Sequence, residues 1–228
     1  MGKLVRMIDE EGTLSVIAAD STDIVREMRS IHGTSKVCPA ALGRMLTAAT
    51  MMGSTLKGKD DSITVKINGG GPCGTVLAVS DSDGNVRGCI GKADISLPLN
   101  KKGKLDVAGA VGKNGFVTVI KDLGLKEPYI GKTPIVSGEI AEDITSYYAV
   151  SEQIPTVCAL GVLTEHDSGE IICAGGFMIQ LLPTADDTII ERVEESIKDL
   201  PPVTNAFRRY DSRRDMQKGT LKIQPAAA

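Results

Sequence analysis

The chain has 228 residues, of which 42% are hydrophobic and 24% charged, enough apolar material for a real core and too balanced a composition for wholesale disorder. Aromatic residues make up only 3% and Trp is absent, so the core must be built from Val, Ile, Leu, Met and Ala. Charge is divided unevenly: the segment from Asn205 to Ala228 carries six basic and two acidic residues, a net +4, and the rest of the chain carries −7.

Leu4 to Ile8 and Thr13 to Ala18 are two short apolar runs on either side of Glu10-Glu11-Gly12, a β-hairpin pattern. An amphipathic helix follows from about Thr22 to His32, with Asp20, Ser21 and Thr22 as candidate caps and Gly33 as the stop. Ile24 and Met28 share one face, with Ile31 three residues on. Pro39 opens a second helix, roughly Ala40 to Leu56, which is apolar nearly all round and therefore buried. From Ser62 the period becomes strand-like, with Ile63, Val65 and Ile67 alternating with Thr64 and Lys66. Gly69-Gly70-Gly71-Pro72 reads as a turn, and Thr75–Val79 and Val86–Ile90 form a hairpin around Asp81–Asn85.

Phe116–Ile120 and Ile130–Val136 are further strands, and Glu139 to about Glu152 is a helix with Ser137 as N-cap. Val157–Leu163 and Ile171–Leu182 are strands joined by a turn, Glu165–Gly169. After Pro183, Thr184 and Asp187 form a capping box in its Asp form. Ile189, Ile190, Val193, Ile197 and Leu200 then lay an apolar stripe along a helix from Asp186 to Leu200, stopped by Pro201-Pro202. The pattern is α+β: mostly antiparallel β-sheets packed with a buried helix, followed by a helical linker. The expected divisions are a core, 1–183, an amphipathic linker helix, 184–204, and a basic irregular tail, 205–228.

The N-terminus has no apolar run of signal-peptide length and no segment approaches a membrane span, so a cytoplasmic protein is expected. The five cysteines, Cys38, Cys73, Cys89, Cys158 and Cys173, contain no C-x-C or C-x-x-C, so no metal site is expected from them. Three enzyme-like features have simpler explanations. Gly69–Gly74 lacks the ending of a phosphate loop and opens no helix. Cys158 and His166 would need to meet in space to act as nucleophile and base. Glu139, Glu142 and Asp143 sit where carboxylates stabilise a helix N-terminus. No catalytic residue is assigned. A cysteine-dependent enzyme, a small-molecule-binding domain and a nucleic-acid-binding domain are the alternatives, the last resting only on the basic tail.

Seven strings, in order and at sensible spacing, then point elsewhere. They are Ala41-Leu42-Gly43-Arg44; Gly69-Gly70-Gly71-Pro72; Gly103-Lys104-Leu105-Asp106-Val107 with Ala110-Val111-Gly112; Lys121 to Tyr129; Ser137 to Asp143; Tyr147 to Pro155; and Ala174 to Pro183. Over Lys3 to about Thr204 the chain resembles the redox-regulated holdase chaperones of the thirty-three-kilodalton heat-shock family. The resemblance implies an ATP-independent chaperone whose partners are unfolded or oxidatively damaged proteins in heat and oxidative stress. It also implies a homodimer, with exchange of the Asp186–Leu200 helix. In that family a C-terminal domain binds zinc through a C-x-C and a C-x-x-C, and oxidation to two disulfides releases the metal. After Thr204 this sequence departs from the pattern, so zinc is expected only of that further domain. The stripe Ile189, Ile190, Val193, Ile197 and Leu200 is expected to bind clients or to cover a sheet that binds them.

Overall fold

The structure, a computed structural model, describes residues 2–166, 168–198 and 200–205. β1 (Lys3–Ile8) and β2 (Leu14–Asp20) form the expected antiparallel hairpin. Helix α1 (Thr22–His32) ends as expected at Gly33, whose φ of 57° lets its N–H turn back to the Arg29 carbonyl. Its start is held by Asp20, whose carboxylate accepts the Thr22 N–H at 3.0 Å. The buried face is Val25 and Met28; Ile31 is 71% exposed and does not join it.

A two-residue strand, β3 (Ser35–Lys36), runs into α2 (Val37–Gly53). This helix begins three residues before the expected Ala40, because Pro39 falls in the first turn, where its missing N–H would have no intrahelical partner. Every residue of α2 except Arg44 is buried, and each enclosed Leu or Met contributes about 1.5–3 kcal/mol of hydrophobic stabilisation. Then come β4 (Ser62–Gly70), β5 (Val76–Asp81), β6 (Val86–Ile90) and β7 (Asp94–Ile95). The short β7 pairs in parallel with β3, a link that two residues of sequence are too short to signal.

Helix α3 (Val107–Val111) leads into β8 (Gly112–Asp122) and β9 (Tyr129–Pro134). The glycine string turns as expected at Pro72-Cys73, but its first two residues belong to strand, since β4 runs to Gly70. It lies so close to Val111 and Gly112 that a Cβ on Gly69 would stand 2.1 Å from the Gly112 carbonyl oxygen. The expected helix from Glu139 to Glu152 is instead α4 (Ala141–Tyr147) followed by a π-helical turn, Tyr148–Glu152. β10 (Thr156–Thr164) and β11 (Ile171–Leu181) complete the strands, and α5 spans Asp187–Lys198. The cap of α5 is Asp186, whose carboxylate accepts the Ile189 N–H at 3.0 Å; Thr184, expected in that role, donates its hydroxyl to the Gly12 carbonyl.

One sheet has the order β1-β2-β11-β10 and the other β6-β5-β4-β8-β9, both antiparallel throughout. Helix α2 lies between them. On one side a Cβ at Gly176 of β11 would meet Thr47, and on the other a Cβ at Gly88 of β6 would meet Leu46 and Leu42. Each sheet therefore turns one face to α2 and one away. Among the described residues no helix is long and apolar enough to cross a membrane. The basic tail expected from Asn205 onward lies outside the described residues, apart from Asn205 itself.

Candidate client-binding surface

The outward face of the four-stranded sheet is apolar from edge to edge. Register places Val5, Ala18, Phe177 and Ala159 in one row across the sheet, and Met7, Val16, Ile179 and Val157 in the next. The inward rows, such as Arg6, Ile17, Met178 and Cys158, face α2, where the Arg6 guanidinium donates to the Ser54 carbonyl at 2.5 Å. A sheet with two apolar faces needs two covers.

The segment that carries α5 runs over the second face, anchored by the chain on either side of the helix. Before the helix, the Leu182 N–H donates to the Thr13 carbonyl at 2.8 Å and the Thr184 hydroxyl to Gly12 at 2.6 Å, fixing the chain at the β1–β2 turn. After it, Thr204 lies on Gly161 of β10, where an added Cβ would be 2.7 Å from its methyl, and its carbonyl receives the Cys173 thiol at 3.6 Å. Gly161 and Cys173 both point outward, so the segment crosses this face from one end to the other. A 12-residue helix is about 18 Å long, close to the roughly 20 Å of strand between Leu14 and Asp20.

Ile189, Ile190, Val193 and Ile197 are half-buried, and Leu200 is 45% exposed. On the sheet face that this segment crosses, Val16 is 7% exposed, whereas Val5 at the sheet edge is 50% exposed. Four of the five stripe residues are thus partly covered, and Leu200 at the end of the segment is not. Sequence reading missed the sheet face itself, because β2, β10 and β11 are apolar on both sides and periodicity does not separate the two.

The enzyme-like residues are dispersed. Cys158 lies on the inward side of β10 and burial pushes its thiol up to about 12. His166 is exposed in the turn beyond that strand, with roughly 20 Å of extended chain between them. Asp143 is fully buried, accepting N–H groups from Val136, Ser137 and Gly138 on one oxygen and from Ile140 on the other. Glu139 pairs with Arg44 at 2.5 Å, and Glu142 is exposed. Among the described residues no group of three or more His, Cys, Asp or Glu is placed to hold a metal ion. Zinc therefore does not fit these residues.

The resemblance strings instead meet one another. Arg44 of the first reaches Glu139 of the fifth. The Gly71 and Cys73 N–H groups at the end of the glycine string bond to the carbonyls of Val111 and Ala110 at 3.0 Å each. Lys121 of the fourth and Tyr147 of the sixth converge on the Glu152 carboxylate, Lys121 at 2.7 Å. These are structural couplings between elements far apart in sequence.

Known proteins bear the same signature. The family model described as Hsp33 protein matches residues 2–222. The 33 kDa chaperonin of Acetivibrio thermocellus is 50% identical over 213 residues, 93% of this chain and 71% of its own length. That of Clostridioides difficile is 48% identical over 93% of this chain and 72% of its own. The crystal structure of the 33 kDa chaperonin from Thermotoga maritima matches with a TM-score of 0.85 at 38% identity, covering 90% of this chain and 70% of that one. Fold and sequence together define a heat-shock chaperone. Within that class, the chain belongs to the Hsp33 family.

Proposed function

We propose that this chain is an ATP-independent holdase: it binds unfolding proteins on apolar surface and keeps them from aggregating, without making or breaking bonds. The observation that supports this most directly is the outward face of the four-stranded sheet, apolar across all four strands and crossed by a helix held by the chain at its two ends. Such a strap can leave and return without disturbing the core, because α2 sits on the other side of the sheet. The client site is then the sheet face, with Ile189, Ile190, Val193, Ile197 and Leu200 covering it at rest.

The division into a core, 1–183, and a linker, 184–204, fits this reading, since β11 ends at Leu181 and α5 joins neither sheet. A strap tethered in this manner is also suited to exchange between two copies in a homodimer. Redox control belongs to the same reading as a property of the zinc domain that the resemblance implies, acting in the cytoplasm during oxidative stress.

The test is light scattering of a thermally unfolding client without nucleotide, with the chain reduced or treated with peroxide. Suppression in both states is expected. Client that precipitates as fast with the chain as without it rules the reading out. Suppression only after peroxide would place redox sensing within the five cysteines.

A further inference from the structure

The five-stranded sheet also has an outward face, and its chemistry differs. Register aligns Cys89, Leu77, Lys66, Thr118 and Lys132 in one row, and Arg87, Val79, Thr64, Ile120 and Ile130 in the next. Lys66, Arg87 and Lys132 are all exposed, and among the described residues none is within ion-pair distance of a carboxylate. Lys132 instead stands 4.0 Å over the ring of Phe116, itself 46% exposed, and Ile130 is 60% exposed. The carboxylates on this face are Asp81 and Asp122, both at one end. Asp81 accepts from Asp83 and Asn85, and Asp122 from Gly124, so each is engaged in its own turn. A basic and apolar face on a part of the chain that carries −7 overall is selective by charge.

The three cations lie on alternate strands, β6, β4 and β9 in the sheet order β6-β5-β4-β8-β9. Lys66 and Lys132 share a row two strand spacings apart, roughly 10 Å, and Arg87 lies one row over, roughly 12 Å from Lys66. A polyproline-II segment has three residues per turn and advances about 9 Å over three, so every third side chain falls on one edge. Unfolded chains populate that conformation and expose no internal hydrogen bonds when they adopt it.

We propose that this face binds client segments in which carboxylates recur about every third residue among apolar side chains, the segment running across the strands. Its acidic side chains meet Arg87, Lys66 and Lys132, and its apolar ones lie on Ile120, Ile130 and Phe116. This rests on the holdase reading and names the clients it favours.

The experiment uses the full chain and fluorescein-labelled peptides: repeats of Glu-Leu-Val, the same repeats with Lys in place of Glu, and an isomer with the Glu residues contiguous. Anisotropy at low salt is expected to show the Glu repeat binding about tenfold more tightly than the Lys repeat, as three exposed charge pairs allow. High salt should narrow the gap, and the contiguous isomer should bind less well than the repeat. Combined Lys66→Glu, Arg87→Glu and Lys132→Glu substitutions should invert the preference. If that variant does not fold by circular dichroism, Lys66→Gln with Lys132→Gln should abolish it.

Equal binding of the Glu and Lys repeats overturns the proposal, and so does a preference that survives the substitutions. Displacement of the Glu repeat by a single-stranded oligonucleotide as readily as by unlabelled peptide also overturns it, since the face would then be a general polyanion site. Client light scattering run in parallel separates the two readings. Aggregation suppressed without charge preference removes only this inference, and charge preference without suppression removes the holdase reading.

Discussion

The Asp143 carboxylate clamps Ile140 in a left-handed turn: its Oδ2 accepts the Ile140 N–H at 3.0 Å, while Ile140 holds a φ of 67°. A non-glycine residue in that region costs about 1–3 kcal/mol and persists only where its surroundings enforce it. The enforcing group is fully buried and receives four backbone N–H groups. Asp143→Ala would leave those donors without an acceptor and is expected to destabilise the fold by about 3–5 kcal/mol. Urea unfolding at unchanged slope checks this; a midpoint like that of the parent chain would refute it.

Under the holdase reading, Val193→Asp with Ile197→Asp weakens the hold of α5 on the sheet by about 2 kcal/mol, the burial of two half-covered aliphatic side chains. Dye binding to apolar surface and suppression of client aggregation should both rise. If neither changes, the strap does not control the surface.

The anchors of the strap depend on pH. The Thr188 hydroxyl and the Ile189 N–H hold the Asp186 carboxyl below the usual carboxylate range. The Thr13 hydroxyl and the Leu14 N–H do the same for Asp9, in the turn that receives Thr184. A carboxyl whose folded pKa lies below its unfolded one adds stability above the unfolded value, and that stability is lost as pH falls through the folded value. Protection of the α5 amides, taken relative to their intrinsic exchange rates at each pH, should therefore hold above about pH 4 and fall below it. Asp186→Asn with Asp9→Asn should flatten that dependence, and a profile unchanged in this variant would discard the assignment.

The cysteines should differ in reactivity. Burial pushes the Cys73 thiol up to about 11, helped by neighbouring Cys38, and raises Cys38 as well. At pH 8 about one Cys73 in a thousand is a thiolate. Cys89 is exposed. A thiol reagent should label Cys89 first in the native chain, as mapped on peptides, with the other four following only on unfolding. Early labelling of Cys38 or Cys73 would contradict this.

Local signals made much of the fold legible. Helix α1 keeps its expected bounds because caps and stop are written within a few residues, and β4 starts where expected because Ile63, Val65 and Ile67 alternate cleanly, although it runs on to Gly70. Errors arose where a distant contact decides. The Glu139 helix starts late because Asp143, a buried carboxylate, organises the preceding turn. Ile31 fits the helical period, yet α1 turns it to solvent. The stripe on α5 was readable from its spacing, but the surface beneath it needed the pairing of β1, β2, β10 and β11. The basic face is more hidden still, since Lys66, Arg87 and Lys132 become neighbours only through the register of five strands.

Strand β2 pairs with β11, joining Asp20 to Gly175 across most of the chain. During translation, the hairpin of β1 and β2 must wait for its partner while the ribosome makes everything between them. Helix α2, greasy on every side, has no finished roof until then. Until β11 emerges, the nascent chain thus presents an apolar helix of its own that is open to early association.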